Sequence, residues 1–291
     1  MTASRLARVL AFVLSVALVV PAVPAVAQQG QQPPQGQKPF QPEVGQAGKD
    51  VVWVPTSDAL VEKMLDLAKV TAKDYVIDLG SGDGRTVIAA AKRGARAHGI
   101  EYNPDMVALS KKNAEAAGVS GRATFEKADL FETDFSKATV ISMFLLPSIN
   151  MKLRPTLLKL KPGTRIVSNT FTMEDWEADE TATVTEGCTS WCNALLWIVP
   201  GSAQGSWQTP QGGRLRVTQT FQVVSGSLTN AGTTTAISGK LRGDQITFTA
   251  GKRQYTAHIN GTTMEGTVTA AGGQAQPWKA SKIVASGDSR P

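Results

Sequence analysis

The sequence predicts two folded parts in series. An α/β unit is built on a mostly parallel sheet covered on both faces, and a small antiparallel all-β unit follows, closed or nearly closed into a barrel. Three observations carry this reading. From Asp58 onward, short apolar runs alternate with stretches of helical apolar spacing. Within that region Val76-Ile77-Asp78-Leu79-Gly80-Ser81-Gly82-Asp83-Gly84-Arg85 joins an apolar strand to a helix through three alternating glycines. After Pro200, Gly, Thr, Ser and Gln dominate, and turn signals separate short alternating runs.

The first 27 residues belong to neither part. Arg5 and Arg8 precede the apolar stretch Val9 to Val20, and Ala25-Val26-Ala27 offers a small-x-small cleavage site. This pattern predicts a secretory signal peptide cut after Ala27, and hence an exported, periplasmic or secreted protein. The apolar core is short for a membrane span, so no stable membrane insertion is expected after cleavage; an uncleaved segment would leave an N-terminal anchor. Residues 28–50 are rich in Gln, Pro and Gly and read as a disordered linker. The α/β unit is placed at 51–200, the β unit at 201–285 and a tail at 286–291. With 291 residues and 42% apolar content, the chain can bury a large core. Its formal charge of +6 falls to +4 when the signal takes away two arginines and no acids. That mild excess has no clustered run, so nucleic acid is not expected as a partner.

In the α/β unit, Asp58 to Lys69 carries Leu60, Val61, Met64, Leu65 and Ala68 at helical spacing. Strands read as Tyr75 to Leu79, Arg96 to Glu101, Ala123 to Lys127, Ala138 to Phe144 and Thr164 to Ser168. Helices fill the gaps at Arg85 to Arg93, Asp105 to Ala117 and Asn150 to Leu160. Asn103-Pro104-Asp105 caps the helix that follows it, and Gly118 ends that helix. Thr181 to Glu186 and Ala194 to Val199 read as a closing antiparallel hairpin. Cys188 and Cys192 lie between them, four apart, and in an oxidising compartment predict a local disulfide. A metal pair is the rival reading, but the two histidines, His98 and His258, are distant in sequence, and no metal is expected.

In the β unit the runs are Leu215 to Val224, Thr234 to Leu241, Gln245 to Ala250, Gln254 to Ile259, Thr263 to Thr269 and Trp278 to Ile283. Gly243-Asp244, Ala250-Gly251 and Asn260-Gly261 supply hairpin turns. The inward set is expected to include Leu215, Val217, Phe221, Ile246, Phe248, Tyr255, Ile259, Met264, Val268 and Trp278. No catalytic cluster is visible there, and a stabilising or partner-docking appendage is the favoured role.

The glycine turn carries the chemistry. Gly80, Gly82 and Gly84 allow a tight turn and close approach of a ligand, because no Cβ intervenes and positive φ is cheap. Glu101 ends the next strand, where a carboxylate can take both hydroxyls of a ribose. A dinucleotide site would also offer a glycine turn and a later acid, but it spaces its glycines to seat a pyrophosphate. Here the third glycine comes one residue early, and Asp78 and Asp83 would repel a phosphate. A cationic or zwitterionic nucleoside fits better, and S-adenosylmethionine is the obvious one. Asp129, after the third strand, can accept from an adenine amino group.

From about Val54 to Asn169 the chain resembles class I S-adenosylmethionine-dependent methyltransferases, with Asp78 to Gly84 standing for their first motif and Glu101 and Asp129 for the next two. Val54-Pro55-Thr56, Met64-Leu65, Ile88 to Ala91, Gly99-Ile100-Glu101, Asn103-Pro104, Asp129-Leu130-Phe131 and Val167-Ser168-Asn169 look like the small protein-lysine methyltransferases related to mitochondrial lysine enzymes. The chain departs from that subgroup at Trp53, where a tyrosine is usual. The resemblance implies a Rossmann-like seven-stranded sheet, S-adenosylmethionine as cofactor, and Asp78, Gly80, Ser81, Gly82, Gly84, Glu101, Asn103 and Asp129 around it. Enzymes that methylate adenine or glutamine nitrogen often carry an Asn/Asp-Pro-Pro-aromatic clamp after the fourth strand; here Met143-Phe144-Leu145-Leu146-Pro147 stands in its place. An apolar wall of Phe144 with Trp53 or Thr56 suits an aliphatic amine kept neutral by desolvation. Transfer to a protein lysine is therefore the expected reaction. The alternatives are a small-molecule acceptor, or a non-catalytic exported binding protein that acts through the β unit. The sequence leaves the oligomeric state open.

Overall fold

The structure, a computed structural model, describes residues 40–284. The expected signal peptide, the first part of the expected linker and the tail lie outside the described residues.

In chain order the elements of the α/β unit are α1 (Asp58–Leu67), β1 (Tyr75–Leu79), α2 (Arg85–Lys92), β2 (Arg96–Glu101), α3 (Pro104–Ala116), β3 (Ala123–Lys127), β4 (Val140–Met143), α4 (Pro147–Leu157), β5 (Arg165–Asn169), β6 (Glu180–Thr183) and β7 (Asn193–Ile198). Strands β1, β2 and β4 are each followed by a helix that covers one face of the sheet, and one further helix precedes β1. The strands form a seven-stranded sheet in the order β3-β2-β1-β4-β5-β7-β6, parallel except where β7 pairs with β5 and β6. Alternation along β1 shows how both faces are filled. Val76 joins a core with α1, α2 and α3, while Ile77 and Leu79 join the opposite core with Ile149, Leu153 and Leu157 of α4. Caps fix the helix starts: Ser57 accepts from the Leu60 N–H, and Asn103 from those of Asp105 and Met106. The last helix begins three residues before the expected Asn150, because Pro147 sits in its first turn, where no N–H is needed.

Eight strands, not six, close the second unit into an antiparallel barrel: β8 (Gly205–Gln208), β9 (Arg214–Thr220), β10 (Val223–Asn230), β11 (Thr233–Arg242), β12 (Gln245–Ala250), β13 (Arg253–Asn260), β14 (Thr263–Ala270) and β15 (Gln276–Lys282). The expected run Leu215 to Val224 is broken, since Phe221 adopts a positive φ of 52° at a tight turn between β9 and β10. Side chains fill the barrel. Leu215, Val217, Ile246, Phe248, Tyr255, Met264 and Trp278 are buried there together with Trp207, while Ile259 and Val268 pack at the margin. Phe248 and Tyr255 stack at 4.6 Å and Trp278 meets both rings edge-on, an interior with the character of a packed core.

Phe221 corrects the inward set. It points out of the barrel into the α4-side core, stacking on Trp176 at 5.8 Å under the Arg154 guanidinium. Gln222 donates to the Glu177 carbonyl at 2.8 Å and Arg242 pairs with Glu180 at 2.6 Å, so the barrel is docked on the sheet unit by an apolar plug within a polar rim.

Candidate active site

In an open parallel sheet, ligands bind outside the carboxyl ends of the strands where the strand order reverses, and that point here lies between β1 and β4. A cleft opens there. Its lining includes Asp78, Gly80, Ser81, Gly82, Glu101, Asn103, Asp129, Phe144, Thr56 and Trp53, so one cavity gathers all but one of the candidate residues. Gly84 is the exception. A Cβ on it would meet Phe125 and Ser110 at 2.8–2.9 Å, so its missing side chain serves the packing of α2 against α3 and β3. Gly80 and Gly82 do line the cleft, with φ of 80° and 53° that other residues adopt at a cost.

The acids are held in different ways. Glu101 accepts from the Gly82 N–H with one oxygen and from the Asn103 N–H with the other, each at 2.9 Å, so two backbone donors aim the carboxylate at the cleft. Asn103 spends its own side chain on the α3 cap. Asp78 is buried, with no cation at its carboxylate among the described residues. Burial first, then the like charges of Glu101 and Asp83, push its pKa up to about 7, against the Ser142 hydroxyl, which favours the ionised form. Asp83 is occupied elsewhere, in a two-point ion pair with Arg85, whose guanidinium also donates to the Thr56 carbonyl at 2.8 Å. Ser81 Oγ is buried without a hydrogen-bond partner among the described residues. This donor set suits a ligand carrying a diol and a cationic group. A fixed carboxylate faces the cleft, a second has no ion-paired cation among the described residues, and Gly80 and Gly82 in the turn between them present no Cβ.

Several cleft residues were not anticipated. Residues 40–50 fell within the expected linker, yet Gln46 to Val52 line the cleft. The Gly45 N–H donates to the Trp53 carbonyl at 2.8 Å and the Trp53 N–H to the Gln46 carbonyl at 2.9 Å, so the segment satisfies its own backbone. Lys49 reaches Asp129 as an ion pair and lies over the Tyr102 ring at 5.1 Å. With the Phe131 N–H, that ammonium holds the Asp129 carboxyl below its usual range. The apolar pair Val51-Val52 beside Trp53 was the signal for this strap. Trp53 lies against the glycine turn: a Cβ on Gly82 would come within 2.5 Å of its indole Nε1. On the other side Phe144 is half-buried at the end of β4, and the Asn169 amide donates to Thr56 Oγ1 at 3.2 Å.

Comparison with known proteins agrees with this geometry. Residues 78–180 match the family model described as the ANTKMT methyltransferase domain. A protein-lysine N-methyltransferase of Saccharolobus islandicus is 46% identical over 140 residues, 47% of this chain and 87% of that protein. The adenine nucleotide translocase lysine N-methyltransferase of Mus musculus is 37% identical over 129 residues, and the match spans 44% of this chain and little more than half, 56%, of the mouse protein. Among solved structures, an RNA methyltransferase from Salinibacter ruber in complex with S-adenosyl-L-homocysteine is 47% identical, covering 51% of this chain and 95% of that one at a TM-score of 0.48. The glycine turn with its ordered acids, the strand order and the Saccharolobus islandicus relative together place the chain: it belongs to the class I S-adenosylmethionine-dependent methyltransferases, enzymes that use S-adenosylmethionine as cofactor, and within them stands close to the protein-lysine N-methyltransferases.

Proposed function

We propose that the protein transfers methyl groups to lysine side chains of a protein acceptor, and that it does so as an exported enzyme. The observation that carries the lysine reading is the apolar end of β4. Phe144 stacks on Phe171 where a polar clamp for amide-like nitrogens would otherwise stand, and Thr56 lines the same cleft. The lysine N-methyltransferase relatives support it. Export is supported by the Arg5/Arg8 and Val9 to Val20 pattern and by the Cys188–Cys192 disulfide.

When bound, S-adenosylmethionine supplies an electrophilic methyl group on a sulfonium sulfur. Glu101 would hold the ribose hydroxyls, Asp78 the α-ammonium, Asp129 the adenine edge, and Gly80, Ser81 and Gly82 the backbone cradle. The chain's remaining task is to deliver a neutral amine in line with that methyl. Apolar walls lower the pKa of an entering ammonium by withholding water, and positioning does the rest, so no dedicated base is required.

Tritiated S-adenosylmethionine and a protein extract, followed by acid hydrolysis and amino-acid analysis, test this. Label is expected in methylated lysine and is lost when the acceptor amines are acetylated beforehand. Label confined to small molecules, or retained after acetylation, would overturn the lysine assignment.

A further inference from the structure

The Phe144 ring that lines the cleft is not isolated. It stacks on Phe171, with centroids 5.7 Å apart and planes at 19°, and it meets the edge of Trp191 at 6.0 Å and 60°. The topology explains the meeting. Phe144 follows β4, Phe171 follows β5, and Trp191 precedes β7, which pairs antiparallel with β5, so three strand ends deliver a ring to one edge of the sheet.

The core makes no use of Trp191. It is 43% exposed, belongs to none of the buried clusters among the described residues, and holds a positive φ of 53°, an uncommon conformation for a bulky residue. What keeps it there is local. Trp191 lies inside the ring closed by the Cys188–Cys192 disulfide, and the base of that loop is tied by Val184 N–H to the Cys192 carbonyl at 2.9 Å and Thr170 N–H to the Asn193 carbonyl at 2.8 Å. Phe171 is tied in turn, since the Ser168 hydroxyl donates to its carbonyl at 2.8 Å. A large exposed aromatic carried on a disulfide-closed loop beside the cleft is an arrangement for contact with something that enters the cleft.

We propose that Phe144, Phe171 and Trp191 form the acceptor-side wall of the site, seating the lysine side chain of the acceptor, and that the Cys188–Cys192 disulfide sets the position of that wall. This rests on the lysine reading above. An alkyl stem buries apolar surface against ring faces, and the same faces withhold water from the amine at its end. Opening the disulfide frees the Trp191 ring and weakens acceptor recognition. The residues assigned to the cofactor sit on β1, the turn after it, the end of β2 and the loop after β3, and their affinity for it stays as it was.

The full chain is assayed for transfer of labelled methyl from S-adenosylmethionine to poly-L-lysine, with calorimetric binding of S-adenosylhomocysteine as a second readout. Trp191→Ala, the double variant Cys188→Ser/Cys192→Ser, and reductant-treated wild type are each expected to raise KM for poly-L-lysine at least fivefold and to leave the S-adenosylhomocysteine Kd within twofold. Trp191→Phe is expected to recover most of the loss. An unchanged KM in Trp191→Ala, or loss of S-adenosylhomocysteine binding together with KM, overturns the wall. A changed KM in Trp191→Ala but not in the double serine variant overturns the role of the disulfide. Wild type that binds S-adenosylhomocysteine but never labels poly-L-lysine overturns the lysine reading, and the wall falls with it.

Discussion

Replacing Asp78 by Asn should stabilise the ligand-free protein and weaken it as a cofactor binder, and the two effects should follow pH in a defined way. Asp78 is 6% exposed, faces Glu101 and Asp83, and has its pKa raised from 3.8 to about 7. The folded chain therefore keeps a proton that the unfolded chain has released between about pH 4 and pH 7. Stability contributed by the neutral carboxyl is fully present below the unfolded value and is lost as pH rises through the folded one, at about 1.4 kcal/mol per unit. An asparagine at this position has nothing to titrate. The stability difference between Asp78→Asn and wild type should thus widen by up to about 3 kcal/mol from pH 5 to pH 8, or roughly 5–10 °C in Tm for a domain of this size. Thermal unfolding without ligand at the two pH values measures it. S-adenosylhomocysteine carries the same α-ammonium, so wild-type affinity should rise about tenfold between pH 6 and pH 8 as Asp78 ionises, while the Asn variant binds at least tenfold more weakly and shows little pH dependence. A stability difference that stays constant across pH would show that the Asp78 charge is not the source of instability, and the assigned ammonium contact would lose its basis.

Glu101→Ala should weaken S-adenosylhomocysteine binding at least tenfold in calorimetry with an unchanged far-ultraviolet spectrum, because it removes the one carboxylate that the Gly82 and Asn103 amides aim into the cleft; unaltered affinity would remove Glu101 from the site. Phe221→Ala should cost about 2–3 kcal/mol, less than a fully buried ring because Phe221 is only partly covered. It should also separate the unfolding of barrel and sheet in urea, and a single transition at the wild-type midpoint would show that the plug does not couple them.

Most of the α/β unit was legible because its elements are set by local pattern. Apolar alternation in β1, the Asn103 cap and the glycine turn all act within a few residues. The misreadings share a different cause. Phe221 looked like an inward strand residue because its spacing from Leu215 and Val217 fits period two; its burial is decided by Trp176, far away in sequence. The strand β8 was missed because Gly205-Ser206-Trp207-Gln208 is short, and its pairing with β15 depends on closure of the whole barrel. The strap at 46–52 has the composition of a linker, and its lysine is placed by the distant Asp129 carboxylate and the Tyr102 ring as well as by neighbouring Asp50.

The same contrast divides the site into halves with different physical origins. Most of the proposed cofactor half is backbone-made. Two glycines with positive φ, two amides that orient one carboxylate, and the β1–β2 register bring Asp78, Gly82 and Glu101 together within a stretch of 24 residues. A substitution there strains the chain or orphans a buried group, so the geometry has little freedom to change. The proposed acceptor half draws on side chains: Trp53, Thr56 and Phe144 line the cleft, and Phe171 and Trp191 adjoin Phe144 and lead out to the Cys188–Cys192 loop. A change in those rings leaves the main-chain hydrogen bonds of the sheet intact, so acceptor preference can change without disturbing the cofactor site. Trp53 is where the halves meet, since its indole rests on Gly82 while its backbone anchors the strap. A substitution at Trp53 should therefore alter the affinities for cofactor and acceptor together, whereas one at Trp191 should alter only the second.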